Sequence, residues 1–215
     1  MTRYLYSLLF LTAFISTPFS GSAQVFKSGF IAGLNTTQLL GGVSSGFRQF
    51  GISAGSFVQH DLDEKSGVRM EILFSQKGER KPIRPNIGDY DFFALRLNYI
   101  EVPFLFLQQH HNFKFEIGPS FNYLASYTTK NNYGELPVGH PLNRPFRKME
   151  FSGNIGLNYQ LSENLDMNWR FSNSLIPVRK HLGGSVYWFN RGQYNSAITF
   201  RIIYWFNRNY ENSGG

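Results

Sequence analysis

Charged residues recur at short, regular spacings inside otherwise apolar stretches of this chain. Arg69 precedes Glu71, Lys114 precedes Glu116, and Asp166 precedes Arg170. Arg96, Glu150 and Arg201 sit in similar surroundings. On an extended chain, side chains two or four apart share a face. Acids and bases so placed suit two kinds of chemistry. They can pair in a space closed to water, where a lone charge is expensive to hold. Alternatively, they can line a passage and select what moves through it. If the strands close into a narrow barrel, side chains nearly fill its interior, and pairing in a structural network is the expected role.

Other residue types suggest catalysis or metal binding less well. The five histidines are scattered: His60 and the His110–His111 pair lie near short turns, and His140 and His181 lie in separate long loops. None has the spacing of paired ligands on one element, and the absence of cysteine removes thiolate sites. Asp89 and Asp91 could meet His140 or His181 on one side of the molecule, but no nucleophile motif joins them. The expectation is a non-enzymatic protein with no catalytic residue, no metal and no cofactor.

Those charges are carried on segments that alternate with a period of two, the signature of strands. Eight are expected: Phe26–Thr37, Phe47–Gln59, Gly67–Lys77, Phe93–Leu107, Phe113–Thr128, Met149–Leu161, Leu165–Ile176 and Tyr194–Phe206. In the last, Tyr194, Ile198, Phe200, Ile202, Tyr204 and Phe206 fall on one face and Arg201 on the other. The fifth puts Phe113, Phe115, Ile117, Phe121, Tyr123 and Tyr127 out, and Lys114, Glu116, Ser120, Asn122 and Ser126 in. The fourth is irregular. Leu95, Leu97 and Tyr99 oppose Arg96 and Asn98, after which Ile100, Val102, Phe104 and Phe106 carry the apolar face. This predicts a bulge near Tyr99–Pro103 that holds Arg96 inward. Pro103 and Pro119 support an irregularity at that level.

Long and short connections alternate, as in outer-membrane barrels with short periplasmic turns and longer outer loops. The fold expected is all-β: an eight-stranded antiparallel up-and-down transmembrane β-barrel over residues 24–207. A soluble lipocalin-like barrel would turn the apolar face inward. Here the polar face is rich in Asn, Ser and Gly with isolated charges of both signs, which fits a lumen better than a water-facing surface. Aromatics gather toward strand ends, at Phe104 and Phe106, Phe113 and Phe115, Tyr123 and Tyr127, and Tyr204 to Phe206, as interfacial girdles do.

The first 23 residues read as a cleaved secretory signal. Arg3 leads an apolar run, Tyr4 to Ile15, and Gly21-Ser22-Ala23 precedes Gln24. That run is about 12 residues, against roughly 20 for a spanning helix. Residues 208–215 read as a short polar tail.

Four segments carry a resemblance: Gly33-Leu34-Asn35, Glu71 to Gly78 (EILFSQKG), Asn98 to Pro103 (NYIEVP) and Gly118-Pro119-Ser120. In their order and spacing they resemble the PorT-type, porin-like outer-membrane β-barrel family of Bacteroidetes, over essentially the whole mature chain. The resemblance implies an outer-membrane barrel, and its namesake branch is tied to a secretion system.

The formal charge is +7. The long loops hold Arg80, Lys81, Arg84, Lys130, Arg144, Arg147, Lys148, Arg179, Lys180 and Arg191 against Glu79, Asp89, Asp91 and Glu135, so they carry most of that excess. Basic loops outside a Gram-negative cell would attract lipopolysaccharide phosphates or an acidic protein partner. No motif or compartment supports nucleic acid. The expected partners are outer-membrane lipid, lipopolysaccharide and a protein bound through the outer loops. The expected function is a structural or interaction module; the alternatives are a narrow channel for small solutes and an accessory part of a secretion complex.

Overall fold

Period-two alternation in sequence becomes a closed wall of strands in the structure, a computed structural model that describes residues 26–180 and 192–206. The leader over residues 1–23, the tail over 208–215, His181 and Arg191 lie outside the described residues.

The strands are β1 (Lys27–Leu40), β2 (Gln49–Asp61), β3 (Ser66–Lys81), β4 (Phe93–His110), β5 (Phe113–Asn131), β6 (Gly134–Glu135), β7 (Met149–Ser162), β8 (Leu165–Ser174) and β9 (Tyr194–Trp205). β6 is a two-residue strand that folds back on β5. The other eight pair antiparallel with their neighbours in sequence. β1 then pairs with β9 from Gly29↔Trp205 to Leu40↔Tyr194 and closes the barrel. Closure leaves no unpaired edge, which a wall in hydrocarbon requires.

Burial alternates along every barrel strand. Phe30, Leu34, Phe50, Ile52, Ile72, Phe115, Ile155 and Phe171 are exposed on the outside; Ile31, Asn35, Arg69, Glu71, Glu116 and Arg201 are buried inside. The apolar face is therefore outward, the reverse of a lipocalin. Most of the expected girdle aromatics face out, including Phe104, Phe106, Phe113, Tyr123, Tyr204 and Phe206. Trp205 is the exception at the end of β9: it points inward and packs edge-on to Phe57, 4.8 Å between ring centroids.

The connections β2–β3, β4–β5 and β7–β8 are short and share an end with Lys27 and Trp205. The long connections occupy the other end. The walls differ in height: β8 has 10 residues and β9 has 12, but β4 has 18 and β5 has 19.

The expected irregularity is present but on a different strand. β4 keeps one phase throughout, with Leu95, Leu97, Tyr99, Leu105 and Leu107 all buried. The extra residue is Ala125 on β5, since Asn98 pairs with Ser126 but Tyr99 with Leu124. Beyond Ala125 the phase of β5 inverts. Ser126 is thus exposed and Tyr127 packs against the interior, opposite to the simple alternation. The prolines do not shift the register: Pro103 pairs with Ser120 and Phe106 with Ile117 along the same diagonal. Beside them, a Cβ on Gly118 would come 1.9 Å from the Phe104 carbonyl oxygen, so that crossing admits glycine alone.

Candidate functional site

The lumen is filled in layers. Nearest the short turns lies an apolar group of Ile31, Phe57, Leu73, Ile203 and Trp205. Trp205 Nε1 donates to Asp166 Oδ2 at 2.9 Å, so the indole is satisfied where it is buried. The Arg69 guanidinium lies 4.8 Å from the Phe57 centroid and 5.3 Å from that of Trp205. Lys114 is half-buried, its Nζ 5.8 Å from the Trp205 ring.

Above this group stands the main charge cluster. Arg170 on β8 donates from Nη1 and Nη2 to both carboxylate oxygens of Glu71 on β3, at 2.7 and 2.8 Å. Its Nε donates to Glu116 Oε1 on β5 at 2.5 Å. Arg201 on β9 reaches Glu71 at 3.2 Å and Glu116 at 3.5 Å. Arg69 stands 3.8 and 3.9 Å from the same two acids. Neutral side chains take up further hydrogen bonds, while Arg69 Nη1 keeps only its longer ionic contacts to the two acids. Gln59 accepts from Arg69 Nε and Nη2, Asn168 accepts from Arg201 Nε and Nη2, and Asn158 donates to Glu116. Three guanidiniums around two carboxylates meet the conditions for burying charge: opposite sign, good geometry and filled lone pairs.

Further up, Lys77 Nζ lies 2.9 Å from Glu150 Oε1 and 2.6 Å from Glu101 Oε1. Asn122 and Asn195 donate to the two oxygens of Glu150 at 2.8 and 2.5 Å, and Asn195 also donates to the Tyr99 hydroxyl at 3.2 Å. Above that, Leu39, Phe93, Leu95, Leu97, Tyr99, Leu124, Phe146 and Val178 form an apolar layer, joined by Tyr127 and Leu142. Phe146 and Val178 come from the long loops, so these loops fold over the mouth. There Arg179 lies 4.1 Å above the Phe146 ring and donates from Nε to Gln193 at 2.7 Å. Burial, and then neighbouring Arg144, lowers the Arg179 pKa to about 10.

Of the charges read from sequence, the structure brings Arg69, Glu71, Glu116, Arg170 and Arg201 into one cluster. Glu150 belongs to the second and Asp166 to the Trp205 contact. Arg96 is a correction. It is exposed on the outer face, because β4 does not change phase and its inward positions at this height are the leucines. Several charges assigned to the loops are corrected as well: Arg80 and Lys81 lie on β3 and Lys130 on β5. Glu79 belongs to β3 and is buried, accepting from the backbone N–H of Ser44, and Arg179 is buried in the mouth. Lys77 was readable as inward-facing; Glu101 falls within the expected bulge at Tyr99–Pro103, where the alternation assigns it no face. Among the loop groups with catalytic potential, Asp89 and Asp91 lie 3.0 and 3.7 Å from Lys81, and His140 Nδ1 accepts from the Leu142 N–H.

A closed antiparallel barrel with an apolar outside and a charged, paired inside defines a transmembrane β-barrel protein. The chain belongs to the outer membrane protein beta-barrel domain family, whose model matches residues 20–179. That membership indicates the bacterial outer membrane. Among solved structures, Ail, the attachment invasion locus protein of Yersinia pestis in complex with the heparin analogue sucrose octasulfate, aligns with TM-score 0.47 at 8% identity. It covers 84% of this chain and 99% of that one. Neisserial surface protein A aligns with TM-score 0.47 at 9% identity, covering 83% and 96%. A de novo designed transmembrane β-barrel gives 0.39 at 12%, covering 84% and 94%. No curated protein sequence matches the chain.

Proposed function

We propose that this protein is a non-enzymatic outer-membrane barrel with a closed lumen, a structural or interaction module that works through its outer surface. One observation carries the reading: ion pairs cross the lumen from wall to wall. Arg170 on β8 meets Glu71 on β3, and Lys77 on β3 meets Glu150 on β7, with an apolar layer above them. Side chains paired in this way do not yield to a passing ion without leaving buried charge behind, so the luminal charges serve as a core. Purified protein in planar bilayers should give no steady conductance. A reproducible, ion-selective conductance would instead make it a narrow channel for small solutes.

A secretion-complex role rests on the PorT-type motifs alone, among them EILFSQKG and NYIEVP. In this chain they supply the luminal groups Glu71, Lys77 and Glu101. Recovery of the barrel with stoichiometric partners from mild detergent would favour that role; recovery alone would count against it. Removal of a leader before Gln24 belongs to the same proposal, and N-terminal sequencing of the membrane form checks it.

A further inference from the structure

The tall wall formed by β3, β4 and β5 changes character at one level on its outer face. Residues that pair across strands share a face, so each row can be read directly from the register. Phe74, Ile100 and Tyr123 form an apolar row. One step higher, Gln76 Nε2 donates to Asn98 Oδ1 at 3.2 Å, and Asn98 Nδ2 donates to Ser126 Oγ at 2.9 Å. A hydrogen-bonded amide row is out of place in hydrocarbon and marks where the wall leaves it. The next row is Gly78, Arg96 and Thr128, and the one above it Arg80, Ala94 and Lys130.

Height agrees with this boundary. At about 3.4 Å per residue and a tilt of about 40°, the 18 residues of β4 rise roughly 45 Å, against an apolar band of about 25 Å. The 10 residues of β8 rise only about 26 Å on the same estimate. The excess on the β3–β5 side stands outside the membrane. The Ala125 bulge lies at the boundary, and the phase inversion above it turns Lys130 outward instead of inward.

Three exposed cations therefore occupy the side of the barrel rather than the loop tips. Lys148 adds a fourth, its Nζ 6.0 Å from the Tyr123 ring, and Arg80 lies 5.8 Å from the Phe92 ring. Cations above aromatic rings at an apolar boundary are the arrangement found at lipid headgroup level. Nearby acids are mostly engaged elsewhere: Asp89 and Asp91 with Lys81, and Glu79 inside the barrel. Glu135, opposite Lys130 on β6, stands at the edge of the patch.

We infer that this face holds the phosphates of an outer-leaflet phosphoglycolipid of the lipid A type, with Arg80, Arg96 and Lys130 as its ligands. Planar guanidiniums match phosphate oxygens in pairs. The site rests on the outer-membrane reading and gives it a chemical partner at a definite place.

The test is a titration of the folded barrel in mild detergent with bisphosphorylated lipid A, followed by native mass spectrometry. Replacing Arg80, Arg96 and Lys130 together by Gln should weaken binding by about ten-fold or more. The loop variant K180Q should bind as the parent does, and dephosphorylated lipid A should bind parent and triple variant equally poorly. The single variant R96E, with heat-modifiability as the check on folding, keeps the test sound if the triple variant fails to fold. Equal affinity of parent and triple variant overturns the proposal. So does equally tight binding of phosphatidylglycerol, or displacement by inorganic phosphate. A folded, non-conducting barrel that binds no lipid A overturns this site and leaves the closed-lumen reading standing; a conducting barrel that binds lipid A does the reverse.

Discussion

Arg170 meets Glu71 through two parallel hydrogen bonds, 2.7 and 2.8 Å long, from a strand that is not its neighbour in the wall. Glu71 also takes Arg201 at 3.2 Å. Removing the acid therefore strands several buried cations at once. Glu71→Gln should lower unfolding stability in detergent by about 3–5 kcal/mol, the usual cost of breaking a buried pair from one side. Pairing it with Arg170→Met should cost less than the sum of the two single changes, because each removes the same contact. Urea unfolding followed by tryptophan fluorescence gives both numbers. A loss under about 1 kcal/mol for Glu71→Gln would mean that water reaches the cluster.

The assignment of faces on β4 has its own test. Arg96 is exposed and Leu97 fully buried in the apolar layer. Arg96→Cys should react quickly with a water-soluble thiol reagent on intact cells, and Leu97→Cys should stay protected until the barrel is unfolded. Labelling of position 97 instead of 96 would restore the phase change that the apolar pattern suggested.

Leu97→Ala should also cost about 2–4 kcal/mol, since the neighbouring strands are held by their ladders and cannot collapse into the space. Equilibrium unfolding measures it, and a cost near zero would mean the layer is not packed in solution.

Gly118→Ala should prevent normal closure of the β4–β5 hairpin, since the new Cβ would sit 1.9 Å from the Phe104 carbonyl. The expected result is loss of the heat-modifiable band on a gel. Gly153→Ala is the control, because the Cβ added there would find its nearest neighbour, a Leu175 methyl, at 3.6 Å.

Outside the membrane, the Lys81 ammonium donates to Asp89 and holds its carboxyl below the ordinary aspartate value; the Asp91 backbone N–H adds to this. A depressed folded pKa means that this contact steadies the loop above the unfolded value, near 3.9, and that the effect fades as pH falls through the folded value. Lys81→Met should raise the Asp89 pKa in an NMR titration. An unchanged pKa would remove Lys81 as the cause.

Much of this architecture was legible because the alternation on β1, β2, β3, β7 and β9 leans one way: mostly apolar at one parity, and at the other mostly polar apart from Ile31, Phe57, Leu73, Ile203 and Trp205. From Arg69, Glu71, Glu116, Arg170 and Arg201 alone, a paired interior follows once the strands close. β4 misled for a physical reason. A lumen need not be polar along its whole length, and Leu95, Leu97 and Tyr99 form its apolar outer layer. Periodicity sees the two apolar faces of one strand as a change of phase. The real inversion, at Ala125, was hidden because Ser126 and Tyr127 each suit either side of the wall. The cross-lumen partnerships were not readable at all, since spacing along a strand says nothing about the strand opposite. The same holds for the outer patch, which depends on register across β3, β4 and β5.

The partners of Glu71 come late in the chain: Arg170 is 99 residues away and Arg201 is 130. Closure through β1 and β9 joins Gly29 to Trp205. While β1 and β9 are unpaired, Glu71 on β3 is separated along the open sheet from both bases, on β8 and β9. That acid keeps its water until the seam seals, so drying the interior and sealing the seam become a single late event. Assembly of such long-range contacts is intrinsically slow. Until β1 meets β9, the wall is left open and its charged face hydrated.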